Sequence, residues 1–130
     1  MTPAASVVPS DILVPGEVNL LRRALAEWGG PAHCSDELAF GMGFESAADL
    51  VAKCASFKLA LVNDAPLAPS DWARVMLAVE VVFVSDLAGS GVDWQTTTGF
   101  TDAGTIETLR LIQRKLARTV SAYFGRRPSD

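Results

Sequence analysis

Trp72-Ala73-Arg74-Val75-Met76-Leu77-Ala78-Val79-Glu80-Val81-Val82-Phe83-Val84-Ser85-Asp86-Leu87 is the stretch on which the fold turns. Its apolar residues fall on nearly every side of a helical wheel, the pattern of a helix packed inside other helices. Val79 to Val84 is rich in β-branched side chains, so a strand competes for the same residues. Length favours the helix, as do Ser70 as an N-cap and Asp71 in the first turn. Glu80 interrupts the apolar run on the side of Ala73, Met76, Leu77, Val84 and Leu87. A carboxyl in that setting is paired, hydrogen-bonded or protonated. An ion pair with Arg22 or Arg23 is the structural expectation, and a pocket lined by Glu80 the functional one.

The segments on either side can cover such a helix. Pro66 and Pro69 break the chain before it, and Gly89-Ser90-Gly91 stops it after. Upstream, Ser46 caps a helix to about Asn63 with the stripe Ala47, Leu50, Cys54, Phe57 and Leu61. Ser35-Asp36-Glu37 opens a short helix with Leu38, Ala39 and Met42 inward. Val18, Leu21, Leu25 and Trp28 mark a further helix from Glu17, ended by Gly29-Gly30-Pro31. Residues 1–15 hold three prolines and form an extended arm, with Ile12-Leu13-Val14 docking on the body. Downstream, 88–101 is a long loop pinned by Trp94 and Phe100. Asp102–Phe124 is the clearest helix, with Ile106, Leu109, Ile112, Leu116, Val120 and Tyr123 in one stripe. The expectation is an all-α, compact bundle of about five helices around a central apolar helix. The helical domain spans 16–125, and 126–130 form a tail.

Composition narrows the function classes. With 130 residues, 49% of them hydrophobic and 20% charged, the chain is one globular domain that needs no metal or disulfide staple. Mean hydropathy is +0.25. No apolar run reaches the roughly 18–20 residues of a bilayer span, and the N-terminus lacks a basic leader. No membrane association is expected, and the compartment expected is the cytoplasm. Two cysteines make no disulfide framework there. Residues 1–104 carry 5 basic and 13 acidic side chains, a net of −8, whereas 105–130 carry 6 basic and 2 acidic, a net of +4. The acidic body repels nucleic acid, and the basic end attracts an acidic partner.

Catalytic patterns are sparse. His33 and Cys34 are adjacent, which turns their side chains apart and makes a poor dyad. One His and two Cys show no metal spacing, and Cys54 sits in an apolar stripe as a small hydrophobe. Gly89-Ser90-Gly91 lacks the Lys-Ser/Thr of a phosphate loop. No cofactor is expected. Candidate binding residues are Glu80, Trp94 with its following threonines, and the row Arg110, Arg114 and Arg118 around Leu111. That row is either a solvated face near a helix C-terminus or a docking face for an acidic partner.

Leu38-Ala39-Phe40-Gly41-Met42-Gly43-Phe44-Glu45-Ser46-Ala47-Ala48-Asp49-Leu50 resembles the helix-turn-helix of AraC-type regulators through Ala39, Gly43, Phe44, Ser46 and Leu50. The resemblance implies two close helices with a glycine turn, the second offered to DNA. Its early exposed positions are Ala48 and Asp49, Ala52 stands where the family has a basic residue, and residues 35–64 carry a net charge of −3. The expected function is therefore a non-enzymatic protein-interaction or regulatory module that binds a protein partner or itself. A DNA-binding regulator and a small-molecule-binding bundle are the alternatives.

Overall fold

A computed structural model describes residues 6–125. The quoted stretch is helical, with no strand: α5 runs Pro69–Val84 and buries Trp72, Val75, Met76, Val79, Val82 and Phe83. Its start lies one residue before the expected cap. Pro69 occupies the first turn, where its fixed φ suits the helix and its missing N–H costs nothing, and Ala68 is the N-cap. The other helices are α1 (Pro9–Ile12), α2 (Pro15–Glu27), α3 (Asp36–Gly41), α4 (Ala47–Val62), α6 (Trp94–Thr98) and α7 (Asp102–Val120). Short 3₁₀ turns cover Gly91–Asp93 and Ser121–Phe124. Among the described residues this is an all-α bundle.

α2 shares the centre with α5. It packs on α4, α5, α6 and α7, while α5 packs on α2, α7 and the two 3₁₀ turns. Leu20, Leu21, Ala24 and Leu25 form its inner side. Burying a Leu-sized side chain stabilises by about 1.5–3 kcal/mol, so this seam holds much of the fold.

Three segments differ from their sequence expectation. Of the arm, residues 1–5 lie outside the described residues, and Pro9–Ile12 forms a turn of helix rather than an extended run. Val7 exchanges two backbone hydrogen bonds with Leu67 at 2.9 and 3.0 Å, and the Trp72 indole donates to the Val7 carbonyl at 3.1 Å. The tail at 126–130 lies outside the described residues. The loop at 88–101 is largely structured, since it contains one 3₁₀ turn and α6. In α7 the inner stripe begins at Thr105, which is 2% exposed, and not at Ile106, which is 42% exposed. Tyr123 is also outside, because α7 ends at Val120 and the chain tightens into the 3₁₀ turn.

Candidate functional site

Glu80 sits half-buried on α5 and is not paired with Arg22 or Arg23. Its Oε2 accepts a 2.7 Å hydrogen bond from the Gln113 side-chain amide, and Gln113 Oε1 accepts one from Arg110 at 3.0 Å. The three groups form a carboxyl–amide–guanidinium chain across the α5–α7 seam. Burial pushes the Glu80 carboxyl above its ordinary value, while the Gln113 hydrogen bond and the Arg110 charge pull it back. Beside it lies an apolar cleft of about 150 Å³, lined by Met76, Ala117, Val120 and Phe124. The structure thus brings Glu80 and Arg110 together through Gln113, a residue sequence reasoning passed over.

Trp94 is elsewhere. It is fully buried, meets Phe83 edge-on with ring centroids 5.2 Å apart and stacks on Phe100 at 6.4 Å. Its indole N–H donates to Thr105 Oγ1 at 2.8 Å. Trp94 is a core residue and does not line the Glu80 cleft. Leu111, Arg114 and Arg118 lie on the exposed side of α7. Among the described residues the ion pairs are Asp49–Lys53, Asp71–Arg74 and Glu17–Lys115, so the arginine row has no carboxylate within 4 Å.

The remaining reactive groups do not converge. His33 is exposed, with its backbone N–H on the Ala88 carbonyl. Burial and the nearby Asp36 raise the half-buried Cys34 thiol, and burial pushes the Cys54 thiol up to about 12. Neither favours a thiolate nucleophile. Among the described residues no group of three His, Cys, Asp or Glu could hold a metal ion.

The sequence reading missed the burial of two carboxylates, Glu17 and Glu27. Glu17 caps its own helix start by accepting from the Val14 N–H at 2.9 Å, and Lys115 Nζ donates to both its oxygens at 2.7 and 2.9 Å. Glu27 Oε1 accepts from Ser90 Oγ at 2.6 Å and from Thr97 Oγ1, which ties α2 to the connection after α5. The signal for Glu27 was its position three residues after Ala24, on the inner face of α2. Its partners, 63 and 70 residues away, left none.

The residues behind the helix-turn-helix resemblance serve packing. Ala39, Phe44 and Leu50 are buried. Gly43 takes φ +99°, a conformation suited to glycine. Ser46 Oγ accepts from the Asp49 N–H at 3.0 Å, and Asp36 accepts from the Ala47 N–H at 2.9 Å.

The outward side of α4 carries another chemistry. Ala48, Val51, Ala52, Ala55, Leu59 and Val62 recur at helical spacing and are all exposed. Leu59 is 63% exposed, Val62 57% and Val51 43%. Ser56 is the one polar group among the exposed residues of the helix, and Asp49 and Lys53 pair at its flank at 3.3 Å. Val14 continues the surface across a groove from Val62. Sequence reasoning scored only the inner stripe of this helix and missed the outer one, although alanines and valines at positions three and four apart were legible. Compared with protein-family models, with curated proteins and with solved structures, the chain matches none.

Proposed function

We propose that the chain is a non-enzymatic protein-interaction module that docks through the outward face of α4. The observation that carries this is the run of six exposed uncharged side chains along that helix. An amphipathic surface helix ordinarily turns charges outward. Here the outer side leaves on the order of 500 Å² of apolar surface in water when Val14 is included, the size at which patches on single chains are often functional. The small residues Ala48, Ala52 and Ala55 let another helix approach closely, and Leu59 and Val62 supply anchors.

The same face offers a nucleic acid little. Phosphates need Lys or Arg, and base edges need Arg, Asn, Gln or a similar polar group. The apolar stripe of α4 has none of these; Lys53 is paired with Asp49, and Lys58 and Asn63 stand at its edge and end. The arginine row on α7 is a solvated face in this reading. Cys34 and Cys54 are both free, which fits the cytoplasm. No helix of the described residues is long and apolar enough to cross a membrane.

Photo-crosslinking in cells tests the reading. Benzoylphenylalanine in place of Leu59 is expected to give protein adducts, and the same group in place of Leu111 none. Adducts at Leu111 alone would move the docking face to α7 and end this proposal.

A further inference from the structure

Resting on that reading, we infer that the partner on α4 is a second copy of this chain, set antiparallel across a two-fold axis at Ala55. The exposed side chains of α4 are graded in size. Ala48, Val51 and Ala52 stand toward the N-terminal end, Leu59 and Val62 toward the C-terminal end, and Ala55 lies midway. Ala48 and Val62 are each seven residues from Ala55, and Val51 and Leu59 are each four. A two-fold axis through Ala55, perpendicular to the helix, therefore sets Leu59 opposite the other copy's Val51, and Val62 opposite its Ala48. Every large side chain meets a smaller one, and the two Ala55 methyls meet on the axis. An isologous interface needs this kind of self-complementarity.

A parallel pair fits worse. It stacks Leu59 on Leu59 and Ala48 on Ala48, leaving a wedge-shaped gap at the alanine end and a clash of bulk at the other. Gaps of that kind forfeit dispersion contacts. The antiparallel setting also places each helix N-terminus beside the other copy's C-terminus, where the two dipoles attract. Lys58, half-buried at the edge of the stripe, stands level with the other copy's Ala52 in this register, and Asp49 pairs with Lys53 away from the axis.

Area sets the strength. Without Val14, which lies off α4, two such stripes bury roughly 800–1,000 Å² together, the size of a weak, transient contact. The stripe from Ala48 to Val62 is about 21 Å long at 1.5 Å per residue, so a single helix pair covers it. A reversible dimer with a dissociation constant on the order of 10 µM is the expected outcome.

The test combines sedimentation with crosslinking of the full chain. Wild type is expected to titrate from monomer to dimer in the micromolar range. Leu59→Glu is expected to raise the midpoint at least tenfold, with an unchanged far-ultraviolet spectrum showing that it folds. In a Cys34→Ser background, where Cys54 is buried, a short bismaleimide should join Ala55→Cys to itself and Val51→Cys to Leu59→Cys. It should leave Leu59→Cys alone unjoined. Photo-adducts at Leu59 should have twice the chain mass. A strict monomer near 1 mM, with Leu59 adducts of some other mass, overturns the second copy and leaves the docking face standing. Leu59→Cys joining to itself overturns the antiparallel geometry. No adduct of any mass from Leu59 overturns both the partner and the docking reading.

Discussion

Ser90→Ala is the sharpest perturbation of the fold. Ser90 is buried, and its hydroxyl donates to Glu27 Oε1 at 2.6 Å. Glu27 is 4% exposed, so water is poorly placed to replace that donor. The variant leaves Thr97 as the remaining hydroxyl on the carboxylate. A hydrogen bond to a charged group contributes about 1.5–3 kcal/mol, and the hydroxyl removed is too small to leave a large cavity. The expected loss is about 2 kcal/mol, which lowers Tm by roughly 6–10 °C for a chain of this size. Urea unfolding at neutral pH measures it, and the midpoint should fall with the slope m unchanged. Thr97→Val should cost a similar amount. The two together should be non-additive, because both hydroxyls act on one carboxylate oxygen. A loss under about 0.5 kcal/mol for Ser90→Ala would refute the reasoning, since it would mean that water solvates Glu27 in the folded chain.

Glu80→Gln keeps an acceptor for Gln113 and removes a titrating group. Because burial raises the Glu80 carboxyl, the folded chain holds that proton more tightly than the unfolded one. Its contribution is present below the ordinary carboxylate range and is lost as pH rises through the raised value. The variant should therefore melt above wild type at neutral pH, and the gap should close as pH falls below the ordinary carboxylate range, by thermal melts across that range. Parallel curves would show that the Glu80 carboxyl is ordinary. Thiol labelling of the native chain at pH 8 should reach Cys34 slowly and leave Cys54, pushed up to about 12, unreacted until urea unfolds the chain. Rapid labelling of Cys54 would contradict its burial in α4.

Much of the fold was legible because the inner stripes follow helical spacing. Leu50, Cys54, Phe57 and Leu61 were assigned inward from α4 alone and are buried. Failures came where a distant partner decides. Ile106 is the more apolar of the pair, yet Thr105, four residues before Leu109 and seven before Ile112, lies nearer the stripe, and the Trp94 indole gives its hydroxyl a partner there. Ser70 has the better capping side chain, yet Pro69 takes the first helical position and the cap falls two residues earlier, at Ala68. The Glu80 cleft was half legible. The awkward carboxyl was visible on its own helix, whereas Gln113, 33 residues on, looked like any surface amide. The outer face of α4 went unread for another reason. Only its inner stripe was scored, and no rule of spacing says which of two apolar sides meets water.

The Trp94–Thr105 hydrogen bond also acts as a rotational key. Turning α7 by one residue, about 100°, would carry Ile106 inward but would also put Arg110, Gln113, Ala117 and Ser121 where Leu109, Ile112, Leu116 and Val120 are buried. It would also strand the indole proton in a place without solvent. The apolar stripe and one indole nitrogen on a neighbouring segment thereby agree on the azimuth of a nineteen-residue rod. The outward aim of Arg110, Arg114 and Arg118 is inherited from that choice, so the charge pattern of the far surface is written in the middle of the protein.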